Sequence, residues 1–419
     1  MEFNLDQPAF WDRAALATEA TRVFDICNGC RRCFNLCPSF DVLFRRIDDE
    51  ADGEVDRLNA NVLKETTDLC YYCKLCFNHC PYSPPHAYAL DFPRLMMQSK
   101  MQQARDVPPR WRDRLLANTE WIGRIGGALA PIANWANRQP WLRALLERLL
   151  GIHRDRLLPL FHARSFRAWF FRQTRAAATG PDKVALFYTC YVNHHDPEIG
   201  RATVQVLQKN GVSVVCPEQG CCGMPYFDTG ETEPLLAKAR ANVAALLPYV
   251  EQGYTIVAPM PTCSLMLKKE YPELLRTDAA RRVAAGTRDL SEYLMQLDAV
   301  GRLSKEFTPR VETVLYQVPC HLRDQNIGYK ARDLLRLIPG LTVEVAERCS
   351  GHDGSFGVKQ EYFQISMKIG RKVFEAIEQS NPDRVVSDCP LSALQLQQAS
   401  GRPAQHPIQL VKEAYGITP

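Results

Sequence analysis

The sequence predicts an α+β multidomain protein: a mostly α, cysteine-rich head over residues 1–100, a basic amphipathic helical segment over 101–180, and two repeated α/β domains over 181–305 and 306–419. Three observations predict it. One cysteine pattern occurs twice within the first 81 residues. Residues 94–175 carry 16 basic against 5 acidic side chains. Apolar, strand-like runs that end in cysteine recur at an offset near 130 in the remainder. With 46% apolar and 23% charged residues, the chain of 419 has an ordinary globular composition, neither disordered nor fibrous.

In the head, Cys27, Cys30, Cys33 and Cys37 precede Pro38, and Cys70, Cys73, Cys76 and Cys80 precede Pro81. Both runs read C-x2-C-x2-C-x3-C-P, the spacing of two-cluster ferredoxins. Three thiolates at two-residue gaps wrap three irons of one cubane. The fourth has turned away by then and reaches the other cluster. The expected ligands of one [4Fe-4S] cluster are therefore Cys27, Cys30, Cys33 and Cys80, and of the other Cys70, Cys73, Cys76 and Cys37. The competing metal is zinc, but zinc sites usually use two separated cysteine pairs rather than four cysteines this close together, twice. Pro38 and Pro81 are expected to stop a local helix just past the last ligand. Helical patterning at Val42, Leu43 and Ile47, then Leu58, Val62 and Leu63, predicts helices inserted between the motifs. His79 and His86 read as surface or packing residues. Arg31, Arg32 and Lys74, inside the motifs, read as solvated charges or as groups that tune a cluster or dock a partner.

The N-terminus is acidic and lacks an apolar core, so no signal peptide is expected. No uncharged stretch reaches the about 20 apolar residues of a membrane span. Both point to the cytoplasm, where thiols stay reduced, and the 16 cysteines then read as metal ligands rather than disulfides.

The middle segment holds Trp111, Trp121, Trp135, Trp141 and Trp169, five of the six tryptophans. Trp141, Leu142, Leu145, Leu146, Leu149 and Leu150 fall on one helical face, with Arg143, Glu147 and Arg148 on the other. Phe166, Trp169 and Phe170 repeat the arrangement among Arg164, Arg167 and Arg172. Either the apolar face packs on the following domains, or the helices lie on a membrane surface. No base-stacking or groove-reading motif accompanies the charge, so nucleic acid is not expected. Gly123, Gly126 and Gly127 are not embedded in a strand–turn–helix unit, so no nucleotide or flavin site is expected either.

The tail repeats. Val184 to Cys190 corresponds to Thr313 to Cys320, Cys221-Cys222-Gly223 to Cys349-Ser350-Gly351, and the run ending Met260 to Cys263 to the run ending Cys389 to Ser392. Strands alternating with helices predict a parallel sheet in each half, with each cysteine just past a strand end. Gly223 and Gly351 read as close backbone approach or a tight turn. Cys216 is off the pattern and reads as a buried structural cysteine.

At these residues the chain resembles the CCG-domain, heterodisulfide-reductase-related iron–sulfur proteins, whose pattern C…CCG…CxxC is used twice. The resemblance implies an electron-transfer subunit that relays electrons between a flavoprotein dehydrogenase and an acceptor such as a quinone or a redox protein, rubrerythrin-like proteins among them. With the basic amphipathic segment of the middle, the expected location is the cytoplasm, peripheral on the inner face of the cell membrane. The alternative the resemblance carries is a disulfide or thiol-substrate reductase acting at the CCG centre. It also implies a third Fe–S centre. Repeat 1 keeps Cys190, Cys221, Cys222 and Cys263, with Met260 in place of the first CxxC cysteine. Repeat 2 keeps Cys320, Cys349 and Cys389, with Ser350 and Ser392 in place of two others. The third centre is therefore expected in repeat 1; in repeat 2 only His321, His352 or Asp353 stand near enough in sequence to complete a set. No catalytic residue is assigned.

Overall fold

The structure, a computed structural model, describes residues 3–59, 61–173 and 182–418. It divides into two compact units. One comprises Met1–Ala117 with Pro225–Leu235; the other comprises Asn118–Met224 with Leu236–Pro419. The expected boundary at residue 100 falls inside a helix, Phe92–Asp106. The one expected at 180 lies outside the described residues.

The first unit is helical. α1 (Arg13–Cys30) starts at Asp12, whose carboxylate accepts the N–H groups of Ala14 and Ala15, and ends at Arg31, which adopts a left-handed φ of 48°. α2 (Pro38–Glu50) buries Phe40, Leu43, Phe44 and Ile47, the i, i+3, i+4, i+7 stripe of an amphipathic helix. α3 (Asn61–Asp68), α4 (Leu75–His79) and α5 (Phe92–Asp106) follow, and a short helix, Trp111–Ala117, ends this stretch of the unit. Val23 and Phe24 of α1 and Phe92, Leu95 and Met96 of α5 close the core over that stripe. The inserted helices between the motifs are α2 and α3. The reading of Pro38 needs correction. It does not stop a helix but opens α2, because a proline at the first helical position gives up only an N–H that has no intrahelical acceptor. Pro81 does follow a helix end, two residues past His79.

The second unit opens with α6 (Thr119–Ala128), α7 (Ala130–Ala136), α8 (Pro140–Leu150) and α9 (Phe166–Gln173). Two four-stranded parallel sheets follow. The first holds β1 (Lys183–Leu186), β2 (Ser213–Val215), β3 (Thr255–Ala258) and β4 (Thr287–Asp289), in the order β2-β1-β3-β4. The second holds β5 (Glu312–Gln317), β6 (Leu341–Ala346), β7 (Arg384–Val386) and β8 (Ala404–Gln405), in the order β6-β5-β7-β8. The orders are the same, and the register matches: Val184 pairs with Val214 and Thr255, Val314 with Val343 and Arg384. In each sheet the chain steps outward from the first strand on one side and from the third on the other. The gap between those two central strands is the switch point where open α/β sheets hold their ligands.

Candidate iron–sulfur sites

The two head motifs fold alike. Arg31, after Cys30, and Lys74, after Cys73, both take left-handed φ, 48° and 58°, at the same motif position. That reversal turns a helical end into a loop, so thiols two residues apart face inward together. Arg31 is held in place by Asp48, at 2.5–2.7 Å, and by Asn28. Lys74 is buried over the Tyr72 ring, 5.0 Å from its centroid. Arg32 is exposed, and so is Phe34 beyond Cys33.

Cys80 lies within electrostatic reach of Cys27 and Cys33, and Cys30 of both. Cys37 lies beside Cys70. Cys37, Cys70, Cys73 and Cys76 together line one cavity, walled by Tyr72 and Phe92. Cys76 also feels Cys33 and Cys27, so the two sets adjoin. Burial, then the neighbouring thiols, pushes the Cys27 and Cys76 thiols up, Cys33 to about 11 and Cys37 to about 12. Thiols that suppress one another's ionisation match a core that supplies positive charge to all of them, as iron does. The donor set fits an iron–sulfur cluster in each cage.

In repeat 1 the four motif cysteines meet at the switch point. Cys190 begins a short helix just past β1, after Thr189 at φ 61°. Cys263 lies in Pro261–Leu265, just past β3. The Sγ atoms of Cys190 and Cys221 are 3.9 Å apart, and those of Cys222 and Cys263 3.5 Å. The Met260 sulfur accepts the Thr189 hydroxyl at 3.2 Å. Gly223, at φ 88°, makes the turn after the pair. Cys221 is drawn well down by the hydrogen bonds it accepts from Cys190 and Cys222; those two are pushed up by the same contacts and by burial. Cys216 is buried, its thiol pushed up by burial.

Repeat 2 reproduces the geometry with altered chemistry. Ser350 and Ser392, at the positions of Cys222 and Cys263, hydrogen-bond each other at 2.9 Å. Cys320 keeps Cys349, Cys389 and Asp353 within electrostatic reach. His321 instead meets Thr262 Oγ1 at 3.0 Å, and His352 is buried near Arg156, with neither ring nitrogen hydrogen-bonded.

Several site residues have no motif to announce them. Thr119 and Glu120, at the start of α6, contact Cys221: Thr119 Oγ1 donates to its sulfur at 3.5 Å, and its N–H donates to Glu120 Oε1 at 2.9 Å. Asn242 accepts from Gly220 N–H and donates to the Cys221 carbonyl, while Tyr271 donates to that of Cys222. Below the repeat 2 loop sits Arg156, buried, bonded to Gly357 O, Gln395 and Ser366. Ser366 in turn holds Gly351 O, and Gln395 holds Ser350 O. The middle segment thus braces both motif loops.

Residues 184–268 and 314–397 match the Cysteine-rich domain (CCG) family, and residues 20–106 match the Citrate utilization protein B Fer4-like domain. Over 314 residues, 73% of this chain and 78% of the relative, the sequence is 32% identical to a subunit of the anaerobic glycerol-3-phosphate dehydrogenase of Escherichia coli (strain K12). The chain belongs to the CCG-domain iron–sulfur proteins. It is also 32% identical to a subunit of the fumarate reductase (CoM/CoB) of Methanothermobacter marburgensis, over 51% of this chain and 41% of that one. It is 31% identical to lactate utilization protein A of Bacillus pumilus, over 49% and 87%. Among this CCG-domain protein's relatives are subunits of a dehydrogenase and a reductase, which supports an electron-transfer role for its iron–sulfur domains.

Proposed function

We propose that this protein relays electrons from a flavoprotein dehydrogenase to a quinone while resting on the inner face of the cell membrane. Two [4Fe-4S] clusters in the head, on the crossed ligand sets, and a third centre on Cys190, Cys221, Cys222 and Cys263 form the path. Burial favours relay over reduction of a disulfide substrate: Cys221, Cys222 and Cys263 are only 2–4% exposed, so a thiol substrate has little access to them.

The observation that carries the membrane reading is that α8 is turned inside out. Its polar Arg143 and Glu147 are buried, bonded to the carbonyls of His153 and Arg156 and to Arg154, while Trp141, Leu145 and Leu149 are exposed, two of them at 63%. On α6 the small residues Gly123 and Gly127 are buried, and Trp121 and Ile125, with Leu129 just past its end, are exposed. Aromatic and aliphatic side chains flanked by Arg124, Arg138 and Arg148 suit an anionic lipid interface. By contrast Phe166 and Phe170 of α9 are buried, with Phe166 against Gly200, so that part packs inward. Among the described residues no helix is long and apolar enough to cross a membrane.

The test is anaerobic co-purification from the source membranes, followed by addition of the partner's substrate. Bleaching of the iron–sulfur absorbance and reduction of a soluble quinone analogue are expected. Centres that stay oxidised, or electrons that pass to disulfides instead, would overturn the reading.

A further inference from the structure

We propose that α6 sets the reduction potential of the repeat 1 centre through Thr119 and Glu120. The inference rests on the reading that Cys190, Cys221, Cys222 and Cys263 hold that centre. Cys221 is the thiol on which the local hydrogen bonds converge. It accepts from Thr119 Oγ1 at 3.5 Å, and its own N–H is anchored at 2.9 Å by Glu120, whose other carboxylate oxygen takes Lys238. Asn118 caps α6 by accepting Trp121 N–H at 3.3 Å, so the Thr119 hydroxyl is not needed for the cap.

The two neighbours act with opposite sign. A hydrogen bond to a ligating sulfur draws charge from it and favours the reduced, more negative state, which raises the potential. A carboxylate beside the same cysteine repels the added electron and lowers it. Lys238 offsets that charge, and removing the carboxylate leaves the ammonium unopposed.

The full chain, prepared anaerobically, is titrated with dithionite while each centre's EPR signal is followed. Thr119→Val has the same shape and no donor. It should lower the ratio of reduced to oxidised repeat 1 centre about tenfold at fixed potential, the scale of one charge-assisted hydrogen bond, or ~59 mV for a one-electron couple. Thr119→Ser keeps the donor and should titrate with the wild type. Glu120→Gln keeps an acceptor for the Cys221 N–H and should shift the ratio upward. The head signals should not move. General loosening of the site cannot drive the two variants apart, so shifts of Thr119→Val and Glu120→Gln in the same direction overturn the proposal. So does a Thr119→Val centre that titrates with the wild type. A wild-type chain with no third centre overturns the site reading and this proposal with it, whereas a third centre indifferent to Thr119 overturns this proposal alone.

Discussion

At the scale of single residues, the crossed ligation makes the sharpest prediction. Cys37 lines the cavity of Cys70, Cys73 and Cys76, although Cys33 is far nearer in sequence. Cys37→Ser should abolish the signal of that cluster and spare the one on Cys27, Cys30, Cys33 and Cys80. EPR showing the reverse would refute the crossing. The same logic separates the repeats. A serine hydroxyl is a poor ligand for soft iron–sulfur centres, and repeat 2 already carries a serine pair where repeat 1 has a thiol pair. Cys222→Ser should remove the third centre, and Cys349→Ser should alter it little. One carboxyl predicts a pH effect. Asp289 is buried and lies near Asp388, and burial first, then that neighbour, pushes it up to about 8. The folded state therefore keeps a proton that the unfolded chain releases near pH 4. Stability from this group is full below the unfolded value and is lost as pH rises toward 8. Asp289→Asn should flatten the fall in melting temperature between pH 5 and 8; an unchanged slope would assign the fall to other groups.

At the scale of elements, α6 and α8 carry the function-bearing surprise. Helical periodicity finds an amphipathic helix but not which face turns inward. In α8 the buried side is Arg143 and Glu147, because the following loop offers carbonyls at 2.8–3.1 Å to Nε and Nη2 of the guanidinium. Trp141→Ala with Leu149→Ala should weaken binding to anionic vesicles severalfold while leaving the fold intact, since neither side chain is buried. Wild-type binding should itself fall with salt, as exposed charges are screened over about 10 Å at 0.1 M. Binding by the double variant equal to the wild type's would place the docking face elsewhere. The glycines of α6 are packing devices: a Cβ on Gly123 would come within 2.5 Å of the His194 ring. Gly123→Ala should cost about 1–3 kcal/mol by overpacking, read by denaturant titration.

At the scale of the whole molecule, the clusters are countable. The proposed two cubanes in the head and third four-iron centre predict about 12 irons in the full chain, falling to about 8 in Cys222→Ser. Iron content of the variant equal to the wild type's would deny repeat 1 its centre. The fold class was legible for a physical reason: cysteine spacing in a cluster motif is local, because a thiol's reach fixes how many residues separate it from the next. The spacing of C-x2-C-x2-C-x3-C-P therefore carried the head, and the recurring strand-to-cysteine runs carried the two sheets. Less legible was how the chain is apportioned. Residues 225–235, directly after Gly223-Met224, fold with the head, yet they sit between two motif segments of repeat 1.

Sequence alone determined which side chains are candidate ligands and how they are grouped along the chain: eight head cysteines in two runs, four and three at the motif positions of the repeats, and serines at two others. It also determined the parallel sheets, because strands separated by helices have few other ways to pair. Only the tertiary structure decided which thiols stand together across distance, that Ser350 and Ser392 satisfy each other rather than leave a gap, and that Thr119, Glu120 and Arg156 brace the two loops from about 100 and about 200 residues away. Such partners are chosen by burial. A polar group taken out of water must find a hydrogen bond wherever packing brings one, and that place has no signature in sequence spacing.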